Sequence, residues 1–120
     1  MKIGVSFYYV GDLPEATKLY SVLLGASPAY ADDDWARFNI EGSALGLHLD
    51  ADLPRTTRSD PVQYGAVVSL SVESIHDFVD LSRSLGFTMI GEVEDLPYGL
   101  QAHLRDPWGN RLSVTQPKHP

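Results

Sequence analysis

The stretch Leu100-Gln101-Ala102-His103-Leu104-Arg105-Asp106-Pro107-Trp108-Gly109-Asn110-Arg111-Leu112-Ser113-Val114 reads as a strand, a tight turn and a second strand. In the turn, the Asp106 side chain can bond the backbone ahead of it. Pro107 presets φ near about −65°, and Gly109 or Asn110 accepts a positive φ. The flanks alternate. Ala102, Leu104, Leu112 and Val114 form an apolar set, and Gln101, His103, Arg105 and Ser113 a polar one. A period of two puts these sets on opposite faces of a sheet. One face therefore carries core, and the other is free for chemistry.

Working outward, the rest of the chain repeats this economy. Ile3 to Val10 reads as a strand with bulky residues in both alternating sets, so coverage on both faces is expected. Asp12 is a helix cap, with Pro14 in the first turn and Glu15 three residues on. Ala16, Leu19, Tyr20, Leu23 and Leu24 make one apolar stripe, and Gly25 is the stop. Asp32-Asp33-Asp34 is an acidic turn. Trp35–Ile40 and Leu45–Leu49 form a hairpin turning at Glu41-Gly42-Ser43, with a leucine core face. After a polar, proline-containing linker, Val68, Leu70 and Val72 alternate with Val67, Ser69 and Ser71. Ser74 caps a second helix with Ile75, Phe78, Val79 and Leu85 on its stripe, and Gly86 ends it. A short strand over 87–91 and an acidic loop from Glu92 to Gly99 lead back to the opening hairpin. The tail from Gln116 is expected to fray.

The two halves match. Val10 and Val72 each stand two residues before a cap, and Leu47-His48-Leu49 reads as the counterpart of Leu112-Ser113-Val114. Each half is β-α-β-β-β, with a helix on one sheet face only, so the other face needs a cover that a second copy supplies. The expected fold is α+β: two paired β-α-β-β-β modules forming a curved mixed sheet around a groove. Module one spans 1–50, the linker 51–63, module two 64–116 and the tail 117–120, within a single domain 1–120. Parity places Phe7, Tyr9, Trp35, Arg37 and His48 on the groove side of module one. It places Gln101, His103 and Ser113 on that of module two, with Tyr98 in the preceding loop as a lid residue or turn aromatic. Such a mixture of aromatics and a few polar groups suits a small-molecule site. Trp108 is expected to project from the turn tip, at a dimer contact or the groove mouth.

Bulk properties narrow the classes. At 120 residues a folded chain buries roughly 65% of its unfolded surface, enough for a core without staples. A net charge of −7 disfavours non-specific nucleic-acid binding and favours cationic ligands. The absence of cysteine excludes disulfides, thiolate metal sites and cysteine nucleophiles. No apolar run of membrane-spanning length occurs, Met1-Lys2-Ile3-Gly4-Val5 leads straight into a strand, and a cytoplasmic location is expected. No Asp–His pair can be placed beside Ser69, Ser71 or Ser113, and there is no glycine-rich phosphate loop.

The paired modules, the Asp12-Leu13…Tyr20…Leu24-Gly25 pattern and the Asp106-Pro107-Trp108-Gly109-Asn110 turn resemble the glyoxalase / bleomycin-resistance / extradiol-dioxygenase family, the vicinal oxygen chelate proteins, over essentially the whole chain. The resemblance implies paired modules, often in a homodimer, and, in the enzymes, a divalent metal held by His, Glu or Gln from the first and last strand of each module. The positions carried over are Val5, His48, Val67 and Ser113. Valine cannot ligate, which leaves His48 as the one metal candidate, and no cofactor is expected. The bleomycin-resistance proteins depart from the metal enzymes in the same way, and their acidic segment followed by an aromatic looks similar to Asp32-Asp33-Asp34-Trp35. The resemblance thus implies a metal-independent protein that sequesters a small organic molecule, planar, cationic and antibiotic-like, as a homodimer without nucleic-acid or membrane partners. The alternative is a family lyase, isomerase or dioxygenase with a degenerate metal site using His48. His48 and His103 together would offer acid–base chemistry.

Overall fold

Helix α1 (Leu13–Leu24) begins where its cap predicts. The Asp12 carboxylate accepts the Glu15 amide at 3.0 Å, Pro14 sits in the first turn, and Gly25 closes the helix in the left-handed region at φ 64°. In the computed structural model, which describes residues 1, 4–57, 59–62 and 67–118, α1 buries Leu13, Ala16, Leu19, Tyr20 and Leu23, while Leu24 is half-buried. It packs on β3 (Trp35–Ile40) and β4 (Ser43–Leu49). With β1 (Ser6–Val10) and β2 (Tyr30–Ala31) these make a sheet of order β1-β4-β3-β2. Strand β1 runs parallel to β4, as the helical crossover requires, and the other pairs are antiparallel. Tyr8, Val10, Ala36, Phe38, Leu45 and Leu47 fill the helix side.

The expectation that β1 is covered on both faces fails. Its helix side is buried, but Phe7 and Tyr9 on the other side are 45% and 50% exposed. Strand β2 was not anticipated, because two residues are too short to show a period.

The second unit repeats this plan. Helix α2 (Ile75–Ser84) is capped by the Ser74 hydroxyl, which accepts the Asp77 amide at 3.3 Å. Ile75, Val79 and Ser82 are buried, while Phe78 and Leu85 are half-buried. The sheet order is β5-β9-β8-β6, with β7 also on β8, for β5 (Val68–Ser71), β6 (Thr88–Met89), β7 (Glu94–Leu96), β8 (Gly99–Arg105) and β9 (Arg111–Pro117). Again the first and last strands are parallel.

Three expectations are corrected here. The acidic loop 92–99 contains β7, antiparallel to β8. The tail does not fray at its start: Gln116 Oε1 accepts the Ile75 amide at 2.9 Å, and β9 continues to Pro117. Beyond it, Lys118 bonds the Tyr98 carbonyl and pairs with Asp95 at 2.6 Å. His119 and Pro120 lie outside the described residues, as do Gln63 to Ala66 of the expected linker and strand. Trp108 does not project, being only 5% exposed. The buried Asp106 carboxylate accepts the amides of Trp108 and Asn110 and the Asn110 side chain, all at 2.9 Å, which draws the turn inward. Pro107 is then tied to the linker, its carbonyl accepting the Thr56 amide at 2.7 Å.

The chain divides into two compact units, Met1–Arg55 and Thr56–Pro120. The boundary falls inside the stretch read as a linker. Arg55 belongs to the first unit through an ion pair with Glu15 at 2.5 Å. Thr57 and Asp60 belong to the second, where their carbonyls are held by the buried Arg105 guanidinium at 2.5 and 2.9 Å. No helix among the described residues is long and apolar enough to cross a membrane.

Candidate functional site

Strand pairing decides which side chains share a level on each sheet. In the first unit, Tyr9, His48 and Trp35 form one row across β1, β4 and β3. Phe7, Gly46, Arg37 and Tyr30 form the next, across all four strands. All lie opposite α1. Phe7, Tyr9, Trp35, Arg37 and His48 are thus brought together as parity predicts.

Four of them are rings in mutual contact. Phe7 meets Tyr9 at 5.4 Å between centroids and Trp35 at 5.7 Å, both edge-to-face. His48 lies 5.3 Å from Tyr9 and 5.9 Å from Trp35. These separations fall within the favourable range for tilted aromatic pairs. Gly46 makes the arrangement possible. A Cβ there would clash with the end of the Trp35 indole, so the ring lies over a position that has no side chain. His48 Nδ1 is 3.1 Å from the Leu49 carbonyl, a contact that orients the imidazole.

An ionised carboxylate borders the rings. Asp32 Oδ1 accepts the amides of Asp34 and Trp35 at 2.8 Å, and Oδ2 accepts the Tyr30 hydroxyl at 2.7 Å. The Tyr30 hydrogen bond first, then the Asp34 amide, with lesser help from the Trp35 amide and the charge of His48, hold the Asp32 carboxyl below its ordinary range against an opposing desolvation. The same bond raises the Tyr30 phenol. Tyr30 and the role of Gly46 escaped the sequence reading. Gly46 between Leu45 and Leu47 was a visible signal, but the partner ring was not.

In the second unit, Ser69, Ser113 and His103 share one row, and Ser71, Thr115, Gln101 and Glu94 the next. Gln101, His103 and Ser113 therefore share a face opposite α2. Tyr98, in the turn after β7, is exposed and donates to Gln101 Oε1 at 3.1 Å. Arg105, on the same face, is committed to the linker carbonyls and to Thr88 Oγ1 at 3.3 Å.

The pairing also corrects the internal repeat. Phe7 faces Gly46, whereas Ser69, which occupies the place of Phe7, faces Ser113. Matched through their first strands, the units put Gly46 and not His48 at the level of Ser113. His48 corresponds to Thr115. The leucine alternation reads equally well two residues out of step, which is why the sequence misplaced it. The four positions that the resemblance carries over for a metal thus fall on Val5, Gly46, Val67 and Ser113, and His48 leaves the set. Valine and glycine side chains offer no donor, and a divalent metal needs three or four N, O or S ligands. No cluster of three or more His, Asp or Glu suited to a metal occurs among the described residues. The residues present do not fit the group.

Comparison with known proteins agrees with this architecture. Residues 2–114 match the model of the Glyoxalase/Bleomycin resistance protein/Dioxygenase superfamily. A protein from Agrobacterium tumefaciens solved by NMR is 22% identical, with a TM-score of 0.76 over 98% of both chains. A glyoxalase/bleomycin resistance protein/dioxygenase family enzyme from Burkholderia phytofirmans is 14% identical, with a TM-score of 0.75 over 93% of this chain and 95% of that one. The fosfomycin resistance protein FosX from Listeria monocytogenes, solved with Mn(II) and sulfate, is 14% identical. Its TM-score is 0.76 over 98% of this chain and 91% of its own. None of the curated proteins matches the sequence. With the family model covering nearly the whole length, the chain belongs to the glyoxalase/bleomycin resistance protein/dioxygenase superfamily.

Proposed function

We propose that this protein binds a planar small organic molecule on the aromatic face of its first unit, without a metal ion, and acts by sequestering it. The observation that carries the reading is the cluster of Phe7, Tyr9, Trp35 and His48, with Phe7 and Tyr9 left about half exposed. Exposed aromatic surface of this kind recovers burial free energy when a flat guest covers it. The ring faces attract cations, and the ionised Asp32 beside Trp35 adds a charge of the right sign. Where FosX was solved with manganese, the donor set of this chain points instead to recognition by stacking.

The test is titration with 9-aminoacridine, a planar cation, followed by dye anisotropy, with neutral acridine as the control. The aminoacridine binds more tightly than acridine, and chelator treatment leaves its affinity unchanged. Trp35→Ala weakens binding by about 2 kcal/mol, the magnitude of a stacked hot spot. Unchanged affinity in Trp35→Ala would sink the site, and loss of binding on chelation would sink metal independence.

A further inference from the structure

Arg37 stands in the second row of the aromatic face, opposite Gly46 on one side and Tyr30 on the other, two residues along β3 from Trp35. In a chain with 16 acidic residues it makes no side-chain hydrogen bond or ion pair among the described residues, and its Nε is buried without a partner. Asp32, in the turn that leads from β2 into β3, spends its carboxylate on the Tyr30 hydroxyl and two amides instead. Arg37 is half-buried, so the end of its guanidinium still reaches the open face, but an N–H withdrawn from water and left unpaired is costly and in folded proteins is ordinarily matched by an acceptor.

We propose that the acceptor is a carboxylate of the guest, so that the ligand class is a planar aromatic carrying both a cationic ring system and a carboxylate. This rests on the binding reading above. A guanidinium presents paired N–H groups in a plane that fits two carboxylate oxygens, which a lysine at the same place would not do. The two ends of the face then have opposite tasks. The carboxylate of Asp32 and the rings of Trp35 and His48 favour the cationic body of the guest. Arg37, one row further, holds its anion. The expectation of a purely cationic ligand, drawn from the net charge of −7, is thereby narrowed. The mean field of the molecule selects for positive charge, but the local side chain sets where a negative one is tolerated.

The experiment compares 9-aminoacridine with 9-aminoacridine-4-carboxylate, a pair with the same ring system, on the wild type, Arg37→Gln and Arg37→Lys. The carboxylate strengthens binding to the wild type by about tenfold, the scale of one charge-assisted hydrogen-bonding contact. Arg37→Gln abolishes that preference, read as the ratio of the two dyes' affinities for the same protein. Arg37→Lys retains part of it, and thermal melts confirm that both variants fold. A carboxylate that weakens wild-type binding or leaves it unchanged overturns the proposal. So does an Arg37→Gln variant that weakens both dyes alike, because that is the signature of a structural role. If the parent dye itself fails to bind the wild type, the binding reading falls first. Binding of the parent dye without discrimination overturns only the assignment to Arg37.

Discussion

The two units use one topology and one helix-side core, yet their opposite faces share almost no chemistry. Level by level, Tyr9, His48 and Trp35 stand where the second unit has Ser71, Thr115 and Gln101. Phe7, Gly46 and Arg37 stand where it has Ser69, Ser113 and His103. One face is aromatic, and the other is polar. The shared element is a nitrogen: Arg37 Nε and His103 Nδ1 belong to residues at the same place in the repeat, and both are buried without a partner among the described residues. The helix side of each sheet is constrained by packing, so alternation leaves the other side free to vary without cost to the core. The turns differ as well. Glu41 and Gly42 join β3 to β4 as an exposed turn with positive φ at both residues, 44° and 85°. The corresponding turn of the second unit is built around the buried Asp106 carboxylate.

That contrast gives the largest expected effect. Asp106→Ala strands three donors in a buried turn and lowers the unfolding free energy by about 3 kcal/mol, measured by urea denaturation. Glu41→Asn, in the exposed turn, changes it by less than about 0.5 kcal/mol, because asparagine tolerates a positive φ and both turn residues are exposed. Equal costs in the two turns would show that burial of the carboxylate is not what distinguishes them.

How much of this was legible in the sequence follows from what a period can carry. Both helices, their caps and the long strands announced themselves, and parity gave the correct face for Phe7, Tyr9, Trp35, Arg37 and His48. Parity says nothing about level. Leu45-Gly46-Leu47 and Leu47-His48-Leu49 have the same alternation, so His48 was set two residues too far along and given a ligand position that belongs to Gly46. Strands β2 and β7, of two and three residues, are too short for any period, which hid Tyr30. Trp108 was misread because a turn motif tells its backbone shape and not what the turn packs against. Only the tie between Thr56 and Pro107, far apart in sequence, reveals that.

A second, smaller effect isolates the stacking face. Gly46→Ala puts a methyl group where the Trp35 indole lies and costs about 2 kcal/mol, with a shift of tryptophan emission as the ring is expelled. In a Trp35→Ala background the same change is neutral or stabilising, since the clash is gone and a glycine in a strand is itself unfavourable. Ser113, at the same level of the second unit, already carries a side chain, so this penalty belongs to the first unit alone. A Gly46→Ala protein with unaltered emission and stability would remove the ring from its cradle.

The smallest effect separates two tyrosines. Tyr30 donates to a carboxylate, Asp32, while Tyr98 donates to an amide, Gln101. Only the first bond responds to acid. The folded-state pKa of Asp32 is depressed, so its contribution to ordering the segment before β3 is fully present above the ordinary carboxylate value of about 3.9. That contribution is lost only as pH falls through the lower folded value. Carboxyl-carbon NMR should therefore show Asp32 titrating below the ordinary carboxylate value. Tyr30→Phe removes the largest cause of the shift and moves the midpoint upward, whereas Tyr98→Phe leaves it in place. Both groups are fully exposed, so the change is read in the local resonances of Asp32, Asp34 and Trp35 and not in global stability. An Asp32 midpoint unmoved by Tyr30→Phe would mean that the two amides alone hold the charge. The phenol would then be free to reach a guest.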